Sequence, residues 1–284
     1  MKIIENTKFP NERDLYGAND ICLKNCKFDG KEDGESALKE ARDIKMEDCF
    51  MNLRYPLWHD ERVEMDNVKM TDKCRAALWY SDDIVIKNSN LLGIKALREC
   101  KRIKISNTKV VSPEFGWKSH EIDIEDSNLE SEYLFLMASD IKLKNVNFKG
   151  KYSFQYVENA VIEDCMLDTK DAFWHSKNIT VKNSVVKGEY LAWYSDGLTL
   201  INCKIIGTQP FCYCTNLKLI DCTMEETDFS FEYSDVEATV NSDILSVKNP
   251  RSGFITCDSI GELIYTDDSK YKCKCKITEK VKKK

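Results

Sequence analysis

The feature that most constrains this chain is a pattern that returns every 19 residues. It reads apolar, any, apolar, any, Asn or Asp, small, any, apolar, as in "ICLKNCKF" from Ile21, "IKISNTKV" from Ile103, "ITVKNSVV" from Ile179 and "LTLINCKI" from Leu198. First positions fall at 2, 21, 44, 63, 84, 103, 122, 141, 160, 179, 198, 217 and 236, and ten of the twelve steps are 19 residues. The two exceptions insert four residues around "GKEDGES" and two around "TDKCRA". A unit this short cannot bury its own apolar face, so the units must stack as coils. Period-two alternation of branched and aliphatic residues, punctuated by Asn and Gly, predicts strands. The expected fold is all-β: a parallel β-helix (solenoid) of about 13 coils over residues 1–243, with three short strands per coil. Residues 244–284 read as an irregular C-terminal cap and basic tail.

Composition excludes several classes. A net charge of −6 over 284 residues speaks against a nucleic-acid binder. The tail "KYKCKCKITEKVKKK" reads as a solvated end. The N-terminus lacks a secretion-type apolar run, and no stretch approaches the ~20 apolar residues of a membrane span. These points, with thirteen cysteines read as reduced thiols, give a cytoplasmic expectation with no membrane partner. No cofactor or metal is expected: Cys212/Cys214 and Cys273/Cys275 are one residue apart, where zinc sites space their pairs by two.

Two columns of the repeat are architecture. Asn6, Asn25, Asp48, Asn67, Asn88 and their successors mark a corner, because Asn and Asp tolerate left-handed backbone and can bond up a ladder. The next column, with Cys26, Cys49, Cys165, Cys203 and Cys222 among Ser, Thr and Val, is an inward slot of fixed small volume.

The third segment of each coil is where function must show. It reads "PLWHD" (56–60), "ALWYS" (77–81), "SFQYV" (153–157), "AFWHS" (172–176), "LAWYS" (191–195) and "FSFEY" (229–233). The fourth column, including Glu40, His59, Tyr80, Glu99, Lys118, Met137, Tyr156, His175, Tyr194, Tyr213 and Glu232, is charged enough to face solvent. Strand alternation then sends the second column (Leu57, Leu78, Phe154, Phe173, Phe211) outside too and the Trp column inside. Lys39, Arg98 and Gln155 stand in the Trp column and argue the other way, since burying them is costly. Candidate ligand contacts are therefore Tyr80, Phe154, Tyr156, Phe173, His175, Tyr194 and Tyr213. If the Trp column faces out, they are Trp58, Trp79, Trp117, Trp174 and Trp193.

A long exposed aromatic strip marks an interaction surface. The reading is a non-catalytic binding or scaffold protein presenting that strip to an oligo- or polysaccharide or to a protein. The alternatives are a homodimer using the strip as its interface, and a lyase or hydrolase of acidic polysaccharides. Catalytic candidates for the last are Glu99, His59, Lys118 and His175. Six coils separate His59 from His175, roughly 29 Å at strand spacing, so they share neither a metal nor a triad. Glu40 and Glu99 fall about 14 Å apart, beyond the ~5–9.5 Å of glycosidase pairs.

The recurrent "ALWYS…IVIKNSNL" and "AFWHS…ITVKNSVV" resemble an uncharacterised bacterial family known as domain of unknown function 3737, over roughly residues 2–243. More broadly the chain is similar to right-handed parallel β-helices of the pectin-lyase-like superfamily. The resemblance implies right-handed coiling and a bacterial cytoplasmic setting, and no established activity. Polysaccharide enzymes of that superfamily carry clustered Asp residues or a calcium site with an Arg. Asp82-Asp83 reads as part of a turn and has neither an Asn-x-Asp nor a His-Gly beside it.

Overall fold

The computed structural model describes residues 1–30 and 34–280. Lys31, Glu32 and Asp33, within the four-residue insertion, and residues 281–284 of the basic tail lie outside the described residues. The chain is a right-handed parallel β-solenoid, and it divides into unit 1, Met1–Asn147, and unit 2, Phe148–Lys284.

In unit 1 the first face is a stack of parallel strands, Asn19–Lys24, Arg42–Glu47, Glu61–Asp66, Asp82–Lys87, Lys101–Ser106, His120–Glu125 and Ser139–Lys144. The repeat sets their register: Ile44 pairs Val63, Val63 pairs Ile84, Ile84 pairs Ile103 and Ile103 pairs Ile122. Asp82 and Asp83, expected in a turn, open one of these strands. The second face is shorter: Phe50–Met51, Lys69–Met70, Asn90–Leu91 and Lys109–Val111 pair in the same parallel way. Unit 2 repeats the scheme, with Glu158–Glu163, Lys177–Lys182, Asp196–Ile201 and Leu217–Glu225 on its first face.

The Asn/Asp corner joins the two faces. Asn25, Asp48, Asn67, Asn88 and Asn107 all have positive φ, from 46° to 54°. Their side chains bond up the stack, Asn107 Nδ2 to Asn88 Oδ1 at 2.7 Å and Asn202 Nδ2 to Asn183 Oδ1 at 3.0 Å. The cysteine slot beside it is buried, and all thirteen cysteines are free.

The third segment departs from expectation. It is not a strand but a run of turns in which every second residue is left-handed: Ala76, Leu78 and Tyr80 have φ of 53°, 61° and 57°. Their amides donate alternately to the next coil and the previous one, Ala76 to Ile94 O, Leu78 to Leu57 O and Tyr80 to Arg98 O. The backbone is satisfied without an extended chain, so side chains lose strict period-two alternation. They run in, in, out, out, in. Ala77 and Leu78 are buried, Trp79 is half-buried, Tyr80 is exposed, and Ser81 is buried again.

This corrects the expected placement of the columns. The second column is core, not surface: Phe154 is 0% and Phe173 2% exposed, with their rings stacked 4.8 Å apart. The Trp column, expected inside, lies on the outer side beside the fourth. Gly116 holds a second-column position because a Cβ there would come 2.5 Å from the Phe135 ring.

Two more expectations change in unit 2. Phe231, not Ser230, stacks on Phe211 (5.7 Å), and the Tyr213 amide bonds Glu232 O. One extra residue therefore precedes "FSFEY", which moves Glu232 to the Trp column and Tyr233 to the fourth. Residues 244–279, expected as an irregular cap, carry the strands Ile244–Lys248, Ser252–Cys257, Ile260–Ile264 and Lys274–Glu279. Ser252–Cys257 pairs in parallel with both Asp235–Val240 and Lys274–Glu279, so coiling continues.

Candidate functional site: the outward ladders of the third face

The in-in-out-out order gives each unit two outward columns side by side. In unit 1 the inner one is a continuous stack of cations and indoles. Lys39 Nζ lies 5.6 Å from the Trp58 ring, Trp58 and Trp79 stack at 5.4 Å, and the Arg98 guanidinium sits 5.0 Å from Trp79 and 5.5 Å from Trp117. Lys39 and Arg98 are thus accommodated without burial in the core, each over an aromatic face. In unit 2 Trp174 and Trp193 stack at 5.4 Å.

The indoles also tie coils together. Trp58 Nε1 donates to Ala76 O (2.8 Å), Trp117 Nε1 to Tyr133 O (2.7 Å), Trp174 Nε1 to Tyr190 O (2.7 Å) and Trp193 Nε1 to Gln209 O (2.9 Å). Gln155 makes the same bond, its Nε2 donating to Asp171 O at 3.1 Å. Trp79 Nε1 donates to Lys95 O in the same way, so the five tryptophans are half-buried staples on the outer side, with their donors already used.

The fourth column is the more exposed one. In unit 2 it is continuous: Tyr156 and His175 stack at 4.9 Å, His175 and Tyr194 at 5.0 Å, and Tyr194 and Tyr213 at 4.7 Å. Tyr233 extends it at a tilt, 5.4 Å on, and Tyr271 packs edge-on against Tyr233. Lys270 reaches over Tyr213, so the C-terminal segment touches this end of the column. Burial raises the Tyr213 phenol above its ordinary pKa, and nearby Glu232 adds to the effect. In unit 1 only His59 and Tyr80 stack, at 5.0 Å, between Glu40 on one side and Glu99 on the other.

The catalytic candidates are not brought together. Glu99 lies 3.8 Å from Arg98 Nε, His59 leans on Tyr80, His175 is held between two tyrosines, and Lys118 is exposed. His120 sits on the first face, where its Nδ1 shares a hydrogen bond with Ser139 Oγ (2.9 Å), which donates to Asp140 (2.6 Å). Among the described residues, no group of three or more His, Cys, Asp or Glu is placed to hold a metal ion. Cys212 and Cys214 are core residues, and Cys273 and Cys275 are half-buried in the last coil.

A groove of about 860 Å³ lies on the first face of unit 1. Two ion pairs cross its floor. Arg62 holds Asp43 through two bonds (2.7 and 2.9 Å) and Arg102 holds Asp83 likewise (2.6 and 3.0 Å), keeping both carboxyls below their ordinary pKa.

One residue escaped the sequence reading. Asp60 fills the fifth position of "PLWHD", a column otherwise made of Ala, Ser, Cys and Val, and it is fully buried. A lone acid among small neutral residues is the signal that would have found it.

The fold and the outward ladders define the class: a β-solenoid whose third face offers side chains in register. The chain belongs to the family described as "Protein of unknown function (DUF3737)", which matches residues 2–278. No curated protein matches the sequence. Among solved structures, a mutant tailspike protein of E. coli bacteriophage HK620, in complex with a hexasaccharide, is similar in fold. Its TM-score is 0.52 at 8% identity, and the match covers 92% of this chain. The chain spans 66% of that tailspike's length, just under two thirds. The A-module of the Azotobacter vinelandii mannuronan C-5 epimerase AlgE4 gives a TM-score of 0.31 at 7% identity, covering 98% of this chain and 89% of that module.

Proposed function

We propose that the protein is a non-catalytic binding or scaffold protein whose third face meets an elongated oligo- or polysaccharide along the outer ladders. The observation that carries this is the column Tyr156–His175–Tyr194–Tyr213, in which Tyr156 and Tyr194 are 47% and 46% exposed. The rings cover one another's faces, so a partner meets edges rather than faces. Phenol hydroxyls and imidazole nitrogens both donate and accept, and here they form a row at strand spacing. That row suits the hydroxyls of a sugar chain better than flat stacking. The fold neighbour solved with a hexasaccharide supports sugars as the class to try first. The lyase or hydrolase alternative has no comparable support, because no hydrogen bond or ion pair joins any two of Glu99, His59, Lys118 and His175.

Calorimetry against neutral and acidic oligosaccharides, guided by a glycan array, tests the reading. The expected result is binding that Tyr194→Ala and His175→Ala each weaken at least tenfold. Light scattering on the same samples separates the other partner: a dimer that Tyr194→Ala dissociates would assign the strip to self-association. An array with no hits from a monomeric protein would sink the sugar reading.

A further inference from the structure

The fifth position of the third face is an inward column of small residues, several of them polar. Polar rungs accept an amide from the preceding coil: Asp60 N–H to Ser81 Oγ (3.1 Å), Cys100 N–H to Ser119 Oγ (3.1 Å), and Cys214 N–H to Ser234 Oγ (2.8 Å). Several polar rungs also give their own proton to a backbone carbonyl. Cys100 Sγ donates to Leu78 O, Ser119 Oγ to Leu97 O (3.5 Å), and Ser234 Oγ to Phe211 O (2.6 Å). A polar rung can therefore accept one hydrogen bond and donate another, while Ala41, Ala138 and Val157 fill the same position without either and Ser176 Oγ is buried with no partner.

Asp60 occupies a rung. Its Oδ1 accepts the Ala41 amide at 2.7 Å, and its Oδ2 is buried with no partner. An ionised carboxylate offers acceptors only, whereas a protonated one supplies an O–H as a serine does. The surrounding charged or titratable groups are Arg42 and Glu40 in the preceding coil, His59 and Glu61 in its own, and Asp82 in the following one. Arg42 is already committed. It donates to Ala41 O (2.9 Å) and His59 O (2.6 Å) and lies 3.5 Å from Glu61 and 4.0 Å from Glu40.

We propose that Asp60 is a neutral carboxylic acid in the folded protein, standing in for a hydroxyl, and acts as a proton-operated latch on the coils bearing Glu40, His59 and Tyr80. Losing the proton leaves an acceptor-only carboxylate and a charge in the core. Burial supports this assignment, pushing the Asp60 carboxyl up to about 8, with Arg42 lowering it only in part. Any effect on ligand binding rests on the third face being the binding face; the stability of these coils does not.

The direction follows from linkage. The folded protein keeps a proton that the unfolded chain releases above about 4, so Asp60 costs nothing below that pH. Stability falls as pH rises toward about 8, where the folded form ionises too. Urea unfolding of the full chain between pH 4.5 and 9.5 reads this out. The folded-to-unfolded ratio of Asp60→Ser relative to wild type should rise roughly tenfold per pH unit up to about 8 and then level off. Parallel pH profiles for the two proteins would overturn the proposal. Should Asp60→Ser fail to fold, carboxyl-carbon NMR of the wild type decides. One Asp signal titrating near pH 8 supports the latch; all Asp signals titrating below pH 6 overturn it.

Discussion

The two units solve the same outward positions in opposite ways. In unit 1 the inner column is strong, with Lys39, Trp58, Trp79, Arg98 and Trp117 in unbroken contact, while charges interrupt the outer one after His59 and Tyr80. In unit 2 the outer column runs through four stacked rings, while the inner one gives way at Cys212, where Tyr213 turns its ring against Trp193 (6.1 Å, 63°). The shared backbone ladder and buried second column carry the coil in both. Outward residues are therefore free to be ions or rings, and the continuous rings of unit 2 are the better candidate for recognition.

The sharpest way to break this comparison is to exchange an inward for an outward ring within one coil. Phe173→Ala removes a stacked core ring and should cost about 3–5 kcal/mol in urea unfolding. His175→Ala, two residues on, should cost under about 1 kcal/mol. Equal costs would mean that the order of in and out is wrong. A smaller effect separates ring from donor in the inner column. Trp174→Phe leaves the Tyr190 carbonyl without its indole partner and should cost about 1–2 kcal/mol, and Trp174→Gln should recover part of that, as Gln155 does naturally. Smaller again is Arg98→Leu, which removes the cation between Trp79 and Trp117. A loss of about 1 kcal/mol, with a change in tryptophan emission, is expected from the cation–π contacts. Smallest in stability is Tyr194→Phe, which keeps the stack and deletes one hydroxyl. It should leave unfolding unchanged and weaken sugar binding by several-fold, and unaltered affinity would mean that the hydroxyl row is not the contact.

The repeat, its register and the left-handed Asn corner were all legible, because each rests on a residue type with one strong local preference. The third face was not. Leu78, Phe135, Phe154 and Phe173 adopt positive φ although nothing in a leucine or phenylalanine favours it, and the ladder of bonds to both neighbouring coils imposes it. Period-two logic therefore placed Phe154 and Phe173 outside and the tryptophans inside. Lys39 and Arg98 in the Trp column were the contrary signal, and they were right about direction. The slip at Phe229–Tyr233 stayed hidden because Phe229 and Phe231 are interchangeable by letter and only ring stacking on Phe211 tells them apart. Of the expected ligand contacts, Tyr80, Tyr156, His175, Tyr194 and Tyr213 do lie on the outer side, as their column's charge content had indicated.

Each indole or amide staple reaches a carbonyl in the following coil, sixteen residues on at Trp117, Gln155, Trp174 and Trp193. The coil is consequently a cassette: excising 19 residues rejoins every column to its own kind, whereas excising ten joins core to surface. Such a chain can change the length of its strip only in whole rungs, so the number of contacts offered to a partner is counted in coils.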